Sequence, residues 1–122
     1  MIVLDTSVLA YAVGVQHPLK DPAERLVSAV ASGAVHATTT VEVIQEFLHI
    51  RSRRFARSEA AAVARNYVQL LSPLLAVDET TLDLGLALFR RHARLGAFDA
   101  ILAAAALGHD ADALVSADTG FA

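Results

Sequence analysis

The sequence predicts an α/β fold built on a central, mainly parallel sheet with helices on both faces. Three observations carry this. The candidate strands are only three or four residues long, they are mostly apolar runs instead of strict alternations, and each is divided from the next by one or more helix-length stretches. An antiparallel sheet with one wet face would alternate apolar and polar residues. At 122 residues the chain has the length of one ordinary domain. Residues 1–122 are read as a single domain, because no repeat, low-complexity linker or charge block marks a boundary.

The elements follow in order. Ile2-Val3-Leu4 is an apolar run that stops at Asp5-Thr6-Ser7, residues suited to end a strand and cap a helix through Ala12. His17 to Pro22 is a Pro-bearing loop, and Pro22 opens a helix to about Ser32 that Gly33 ends. Val35 to Thr38 reads as a second strand. Thr40 then caps a helix from Val41 to about Arg54, and Ser58-Glu59 starts another that ends near Ser72. Leu74 to Val77 reads as a third strand. Asp78 caps a helix from Glu79 to Arg94, Gly96 breaks it, and Phe98-Asp99 opens an Ala-rich helix ending at Gly108. Ala113 to Ser116 is the last strand.

Composition narrows the chemistry. With no Cys, the chain has no disulfide scaffold, no thiol nucleophile and no Cys-based metal site, so any metal must sit on carboxylate or imidazole. The longest apolar run, Ala100 to Leu107, is far short of the ~20 residues of a membrane span, and the N-terminus lacks a signal peptide's basic lead. A soluble, cytoplasmic protein is expected. The net charge of -3 gives no global attraction to nucleic acid, so binding there needs a local basic patch. A content of 55% hydrophobic and only 19% charged residues leaves a thin polar covering and points to surface hidden by a partner.

In an open parallel sheet, ligands bind beyond the carboxyl ends of the strands. Asp5, Asp78 and Asp118 follow strands, and Asp99 enters from a helix start. Each has a plainer reading: Asp5 as a helix cap, Asp99 as a first-turn acid, Asp118 as a turn former in Asp118-Thr119-Gly120, and Asp78 as no more than a cap. Gathered together, carboxylates repel, and a divalent cation relieves that cost; all-oxygen ligation suits Mg²⁺ or Mn²⁺. On the helix from Val41, at ~100° per residue, Val43, Ile44, Phe47, Leu48 and Ile50 form an apolar arc with Glu46 at its margin. Glu42 falls with His49 and Arg53 on the wet face, where a solvated residue is expected.

These blocks carry a resemblance. Ile2-Val3-Leu4-Asp5-Thr6-Ser7, Val43-Ile44-Gln45-Glu46-Phe47, Phe98-Asp99-Ala100-Ile101-Leu102-Ala103-Ala104 and Leu114-Val115-Ser116-Ala117-Asp118 with Phe121 resemble, in order and spacing, the PIN-domain ribonucleases. Among these the chain is most similar to the VapC toxins of bacterial toxin-antitoxin pairs. The resemblance implies a three-layer α/β/α sandwich, Mg²⁺ or Mn²⁺ at the acidic cluster, endonucleolytic cutting of RNA, a homodimer and a small VapB-type antitoxin. It places the catalytic and metal-binding acids at Asp5, Glu46, Asp99 and Asp118, with the hydroxyls of Thr6 and Ser116 beside them; of these acids, Asp5 and Asp99 are expected to be the principal ligands, with Glu46 and Asp118 closing the shell. Ser116 stands where the family more often has Thr, and the sequence ends at Ala122, before a terminal segment that many members carry.

Arg51, Arg53, Arg54 and Arg57 gather the positive charge at the end of one helix and the start of the next and are candidate RNA contacts, although cations at helix C-termini are also ordinary dipole partners. Aromatic residues are only 6% of the chain, so base stacking is expected to be minor. Two other classes compete. A phosphoacceptor signalling domain shares the length and an acidic pocket but carries a Lys after a late strand, and the single Lys here is Lys20, in an early loop. A non-catalytic interaction module would suit the apolar composition. For partner docking, Val43, Phe47, Leu48, Tyr67, Val68, Leu70 and Leu71 offer more large apolar groups than a small sheet needs on that side, so part of this set is expected to face outward.

Overall fold

The computed structural model describes residues 1–117. Three strands form one sheet: β1 (Ile2–Leu4), β2 (Ala37–Thr38) and β3 (Ala113–Val115), in the order β2-β1-β3 and parallel throughout. Ile2 stands opposite both Ala37 and Ala113, so β1 is the central strand. Val3 and Leu4 are fully buried, as residues with both faces covered must be. The terminal amine of Met1 lies 2.5 Å from Asp112 Oδ2 and ties the start of β1 to the turn before β3.

Among the described residues there are six helices: α1 (Thr6–Ala12), α2 (Lys20–Ala31), α3 (Val41–Arg51), α4 (Arg57–Leu71), α5 (Glu79–Arg91) and α6 (Ala97–Gly108). Local chemistry sets their starts. Asp5, Thr40 and Asp78 each accept a backbone N–H of the first turn, at Thr6, Val43 and Thr81, and so cap α1, α3 and α5. Gly33 adopts φ +84 just beyond α2, a conformation that a side chain would disfavour. α2 begins at Lys20, two residues before the predicted Pro22, which sits in the first turn where no N–H is needed. α3 and α5 each end three residues early. Beyond α3, the N–H groups of Arg54 and Phe55 both turn back to the Arg51 carbonyl.

The predicted strand at Leu74 to Val77 is not formed. It is reduced to one parallel bridge between Thr40 and Leu75, with Leu75 N–H donating to Thr39 O at 2.9 Å. Pro73 has no N–H to begin a ladder and Asp78 already caps α5, so the segment has room for little more than this bond. The Thr38 hydroxyl lies 3.0 Å from the carbonyls of both Leu71 and Pro73, which satisfies polar groups that a strand would have paired.

That bridge defines the layers. The chain steps from β1 to β2 and on to Leu75 in one direction, then returns across the sheet to β3. Right-handed crossovers therefore put α1 to α4 on one face and α5 and α6 on the other. The packing follows this division, with α1 against α2 and α3, α3 against α4, and α5 against α6. Phe47 and Tyr67 meet edge to face at 5.1 Å under the first layer, and the Tyr67 hydroxyl donates to Leu9 O at 2.8 Å. In the second layer, Gly85 lets α5 approach α6: a Cβ there would stand 2.5 Å from Ile101 Cδ1 and 3.3 Å from Ile101 Cα.

The apolar surplus expected on α3 and α4 is mostly core. Val43, Phe47, Tyr67 and Leu71 are buried, Val68 and Leu70 are half-buried, and Leu48 alone of the set is exposed. The two helices cover each other as well as the sheet, which absorbs side chains that a sheet-only count leaves over. The outward apolar row lies instead on α5, at Leu82, Leu86 and Phe89.

Candidate active site

The reversal of strand order falls between β1 and β3, the position where open α/β sheets build their sites. Asp5 N–H donates to Val115 O at 3.0 Å, which brings the carboxyl ends of the two strands together. Asp5 is only 5% exposed, and three donors hold its carboxylate. Thr6 N–H reaches Oδ1 at 2.7 Å, while Ser116 Oγ and Ser7 Oγ reach Oδ2 at 2.6 and 3.0 Å. The cap reading of Asp5 is therefore correct, and it coexists with a place in the cleft. Ser7 also accepts from Ala117 N–H at 3.0 Å, pinning the segment after β3 to the start of α1.

Above this carboxylate opens a cleft of about 220 Å³. Its lining comes from the end of β1 (Asp5, Thr6), the start of α3 (Thr40, Glu42, Val43, Glu46) and the start of α6 (Ala97, Phe98, Asp99, Ile101, Leu102). Thr40 caps α3 and Thr39 Oγ1 donates to Leu4 O at 2.7 Å, so buried hydroxyls lock the entry of α3 against β1. Asp99 projects from the first turn of α6, where the helix dipole favours an anion.

Four carboxylates thus line one cleft, and none of the described residues lining it is Lys or Arg. Among the described residues, no three carboxylate or imidazole groups converge closely enough to hold an ion between them as they stand. The donor chemistry nevertheless suits a hard divalent cation, because every candidate ligand in the described lining is a carboxylate oxygen.

The comparisons with known proteins decide the family. The PIN domain profile matches residues 2–122. Ribonuclease VapC7 of Mycobacterium tuberculosis is 52% identical over 126 residues, spanning 100% of this chain and 85% of the relative. Ribonuclease VapC13 of the same organism is 33% identical over 122 residues, spanning 99% of this chain and 92% of the relative. The chain is a PIN-domain protein of the VapC ribonuclease family.

The PIN domain brings Asp5, Glu46 and Asp99 to one cleft, with Thr6 in its lining and Ser116 on Asp5. Asp118 and Phe121 lie outside the described residues. Glu42 is exposed, as read from the sequence, and it also lines the cleft one turn before Glu46. Only Val43 and Phe47 of the α3 arc are buried, so the inward face is narrower than predicted and Glu42 flanks it. The i, i+4 spacing of the two glutamates was the available signal. Ser7 was also missed as a partner of Asp5.

Arg51, suggested as an RNA contact, is engaged within the fold. Its guanidinium forks onto Glu59 at 2.6 and 3.3 Å, donates to Val13 O at 2.9 Å and lies 3.8 Å from the Phe55 ring centroid. It joins α3, α4 and the end of α1. Arg53, Arg54 and Arg57 are exposed, the first two beside a depression lined also by Tyr11, Val15, Ile50 and Phe55. Lys20 donates to Gly14 O and pairs with Glu24 and is absent from the cleft lining, so the lysine that a phosphoacceptor site would need is not beside the acids.

Proposed function

We propose that this VapC-family ribonuclease is the toxin of a toxin-antitoxin pair and hydrolyses RNA phosphodiester bonds in the carboxylate cleft, with Mg²⁺ or Mn²⁺ held by Asp5, Glu46, Asp99 and Asp118. The supporting observation is that acids from three separate sequence blocks meet at the switch point of the sheet in a cleft whose described lining has no cation of its own. When bound, such an ion supplies activation of water and neutralisation of phosphate charge. The chain's own residues supply orientation. Ser7, Ser116 and the Thr6 N–H fix both oxygens of Asp5, and the α6 first turn presents Asp99. Glu46 faces them from α3, with Glu42 toward the rim.

Cleavage of a fluorogenic RNA is the test. Cutting should require Mn²⁺ or Mg²⁺ and stop with EDTA, Glu46→Gln should lose at least about 100-fold, and Glu42→Gln should lose less than about 10-fold. EDTA-resistant cutting, or Glu46→Gln at the wild-type rate, would sink the assignment.

The family's partner is a VapB-type antitoxin, which we place in the depression lined by Tyr11, Val15, Ile50 and Phe55. An amphipathic helix with acidic residues toward Arg53 and Arg54 would suit it. We also propose a cytoplasmic homodimer that covers Leu82, Leu86 and Phe89 of α5; sedimentation as a monomer would rule the dimer out. Among the described residues no helix is long and apolar enough to cross a membrane.

A further inference from the structure

Carboxylates are only part of the cleft. Val43, Ala97, Phe98, Ile101 and Leu102 supply an apolar wall, and Phe98, at 74%, is the most exposed large apolar side chain among the described residues. It stands directly before Asp99 on the first turn of α6, and both line the same cleft. A strand whose phosphate lies at Asp99 would therefore carry a neighbouring base within reach of the ring. Among the described residues no basic side chain lines the cleft to grip the RNA backbone, so affinity at this point must come from the base or from the bound ion. A flat, wet aromatic ring beside an acid cluster is suited to a base, because every nucleobase offers a π-face.

We infer that Phe98 is the stacking platform for a nucleobase beside the scissile phosphate and so contributes to substrate binding and cleavage-site preference. The inference rests on the ribonuclease reading above. It departs from the expectation, drawn from the low aromatic content, that stacking is minor: one ring is enough when it stands at the cleft. Stacking is tolerant of sequence, so the preference it confers is for the larger purine surface.

The chain contains no Trp, so Phe98→Trp introduces a single fluorescent reporter. In an Asp5→Asn background that blocks cleavage, with Mg²⁺ present, a hexamer of adenylate should quench the emission of this indole and an abasic ribose-phosphate hexamer should not. The separate reporter Leu107→Trp, at an exposed position near the other end of α6, should respond to neither. With Asp5 intact, Phe98→Ala should raise KM by about 5- to 100-fold with a smaller change in kcat, Phe98→Tyr should restore it, and Phe98→Leu should not. Equal quenching of the Phe98→Trp reporter by the two hexamers, or none, overturns the proposal. So does rescue by Leu, or a blue-shifted emission of that reporter that depends on protein concentration before RNA is added, since either marks Phe98 as a protein contact. Unchanged KM in an active Phe98→Ala enzyme overturns this inference alone, whereas a wild-type chain that cuts no RNA overturns the ribonuclease reading.

Discussion

Replacing Asp5 separates its two duties, capping α1 and furnishing an acid to the cleft. In Asp5→Asn the amide oxygen can stand at Oδ1 and accept Thr6 N–H, and the NH₂ group then meets the hydroxyls of Ser7 and Ser116, each of which can rotate to accept. All three contacts survive, so the stability change should stay below about 1 kcal/mol. Asp5→Ala removes the cap, worth about 1 kcal/mol, and strips an acceptor from two part-buried hydroxyls at about 0.5–1 kcal/mol each. The expected loss is about 2–3 kcal/mol. At roughly 3–5 °C per kcal/mol for a chain of this size, Asp5→Ala should melt about 10 °C below wild type and Asp5→Asn within about 4 °C of it. Relief of repulsion with Glu42, Glu46 and Asp99 raises both variants alike, so the gap between them is the quantity to measure. Both should lose RNA cleavage by at least about 100-fold. Thermal denaturation followed by circular dichroism, paired with the fluorogenic assay, reads both quantities. Equal melting of the two variants would refute the hydrogen-bond account, and Asp5→Asn cutting at the wild-type rate would refute the catalytic one.

Burial pushes the Tyr67 hydroxyl up to about 12 from 10.0, partly opposed by nearby Arg51. The folded state keeps that proton longer than the unfolded chain does. The resulting stability is therefore fully present below about pH 10 and is lost as pH rises toward 12, by about 2–3 kcal/mol. Urea denaturation across that range should show the loss in wild type and not in Tyr67→Phe, which instead sacrifices the bond to Leu9 O at about 1 kcal/mol at neutral pH; an identical alkaline profile in the two would contradict this. Arg51→Ala should lower stability by about 1–3 kcal/mol through Glu59, Val13 and Phe55. Arg53→Ala with Arg54→Ala should leave melting unchanged and, if both touch phosphate, flatten the salt dependence of RNA binding by about 0.7 per contact; a large melting shift in the double variant would reverse these roles.

Much of the chain is legible residue by residue because its signals are local. Asp5, Thr40 and Asp78 cap the helices that follow them, Gly33 takes the left-handed turn that ends α2, and the short apolar runs at Ile2–Leu4 and Ala113–Val115 pair as a parallel sheet. The acids Asp5, Glu46 and Asp99 stand out by their place after a strand, beside an apolar arc and at a helix start, and the order of these blocks carries the family likeness. Leu74 to Val77 misled because β-propensity is visible locally while the missing donor of Pro73 matters only at the moment of pairing.

What the sequence by itself determined is where the capped helices α1, α3 and α5 begin and which residues are acidic, apolar or cationic. Only the tertiary structure decided what those residues meet. Glu42 lines the cleft because α6 lies on that side of α3, Arg51 is occupied because Glu59 and Val13 converge on it, and Ser7 holds Asp5 because the end of β3 arrives beside it. Val43 and Phe47 of α3 and Tyr67 and Leu71 of α4 went inward, and Leu82, Leu86 and Phe89 of α5 outward, for the same reason. Helix formation is governed by groups within about one turn, whereas the direction in which a side chain is buried depends on surfaces supplied by distant segments.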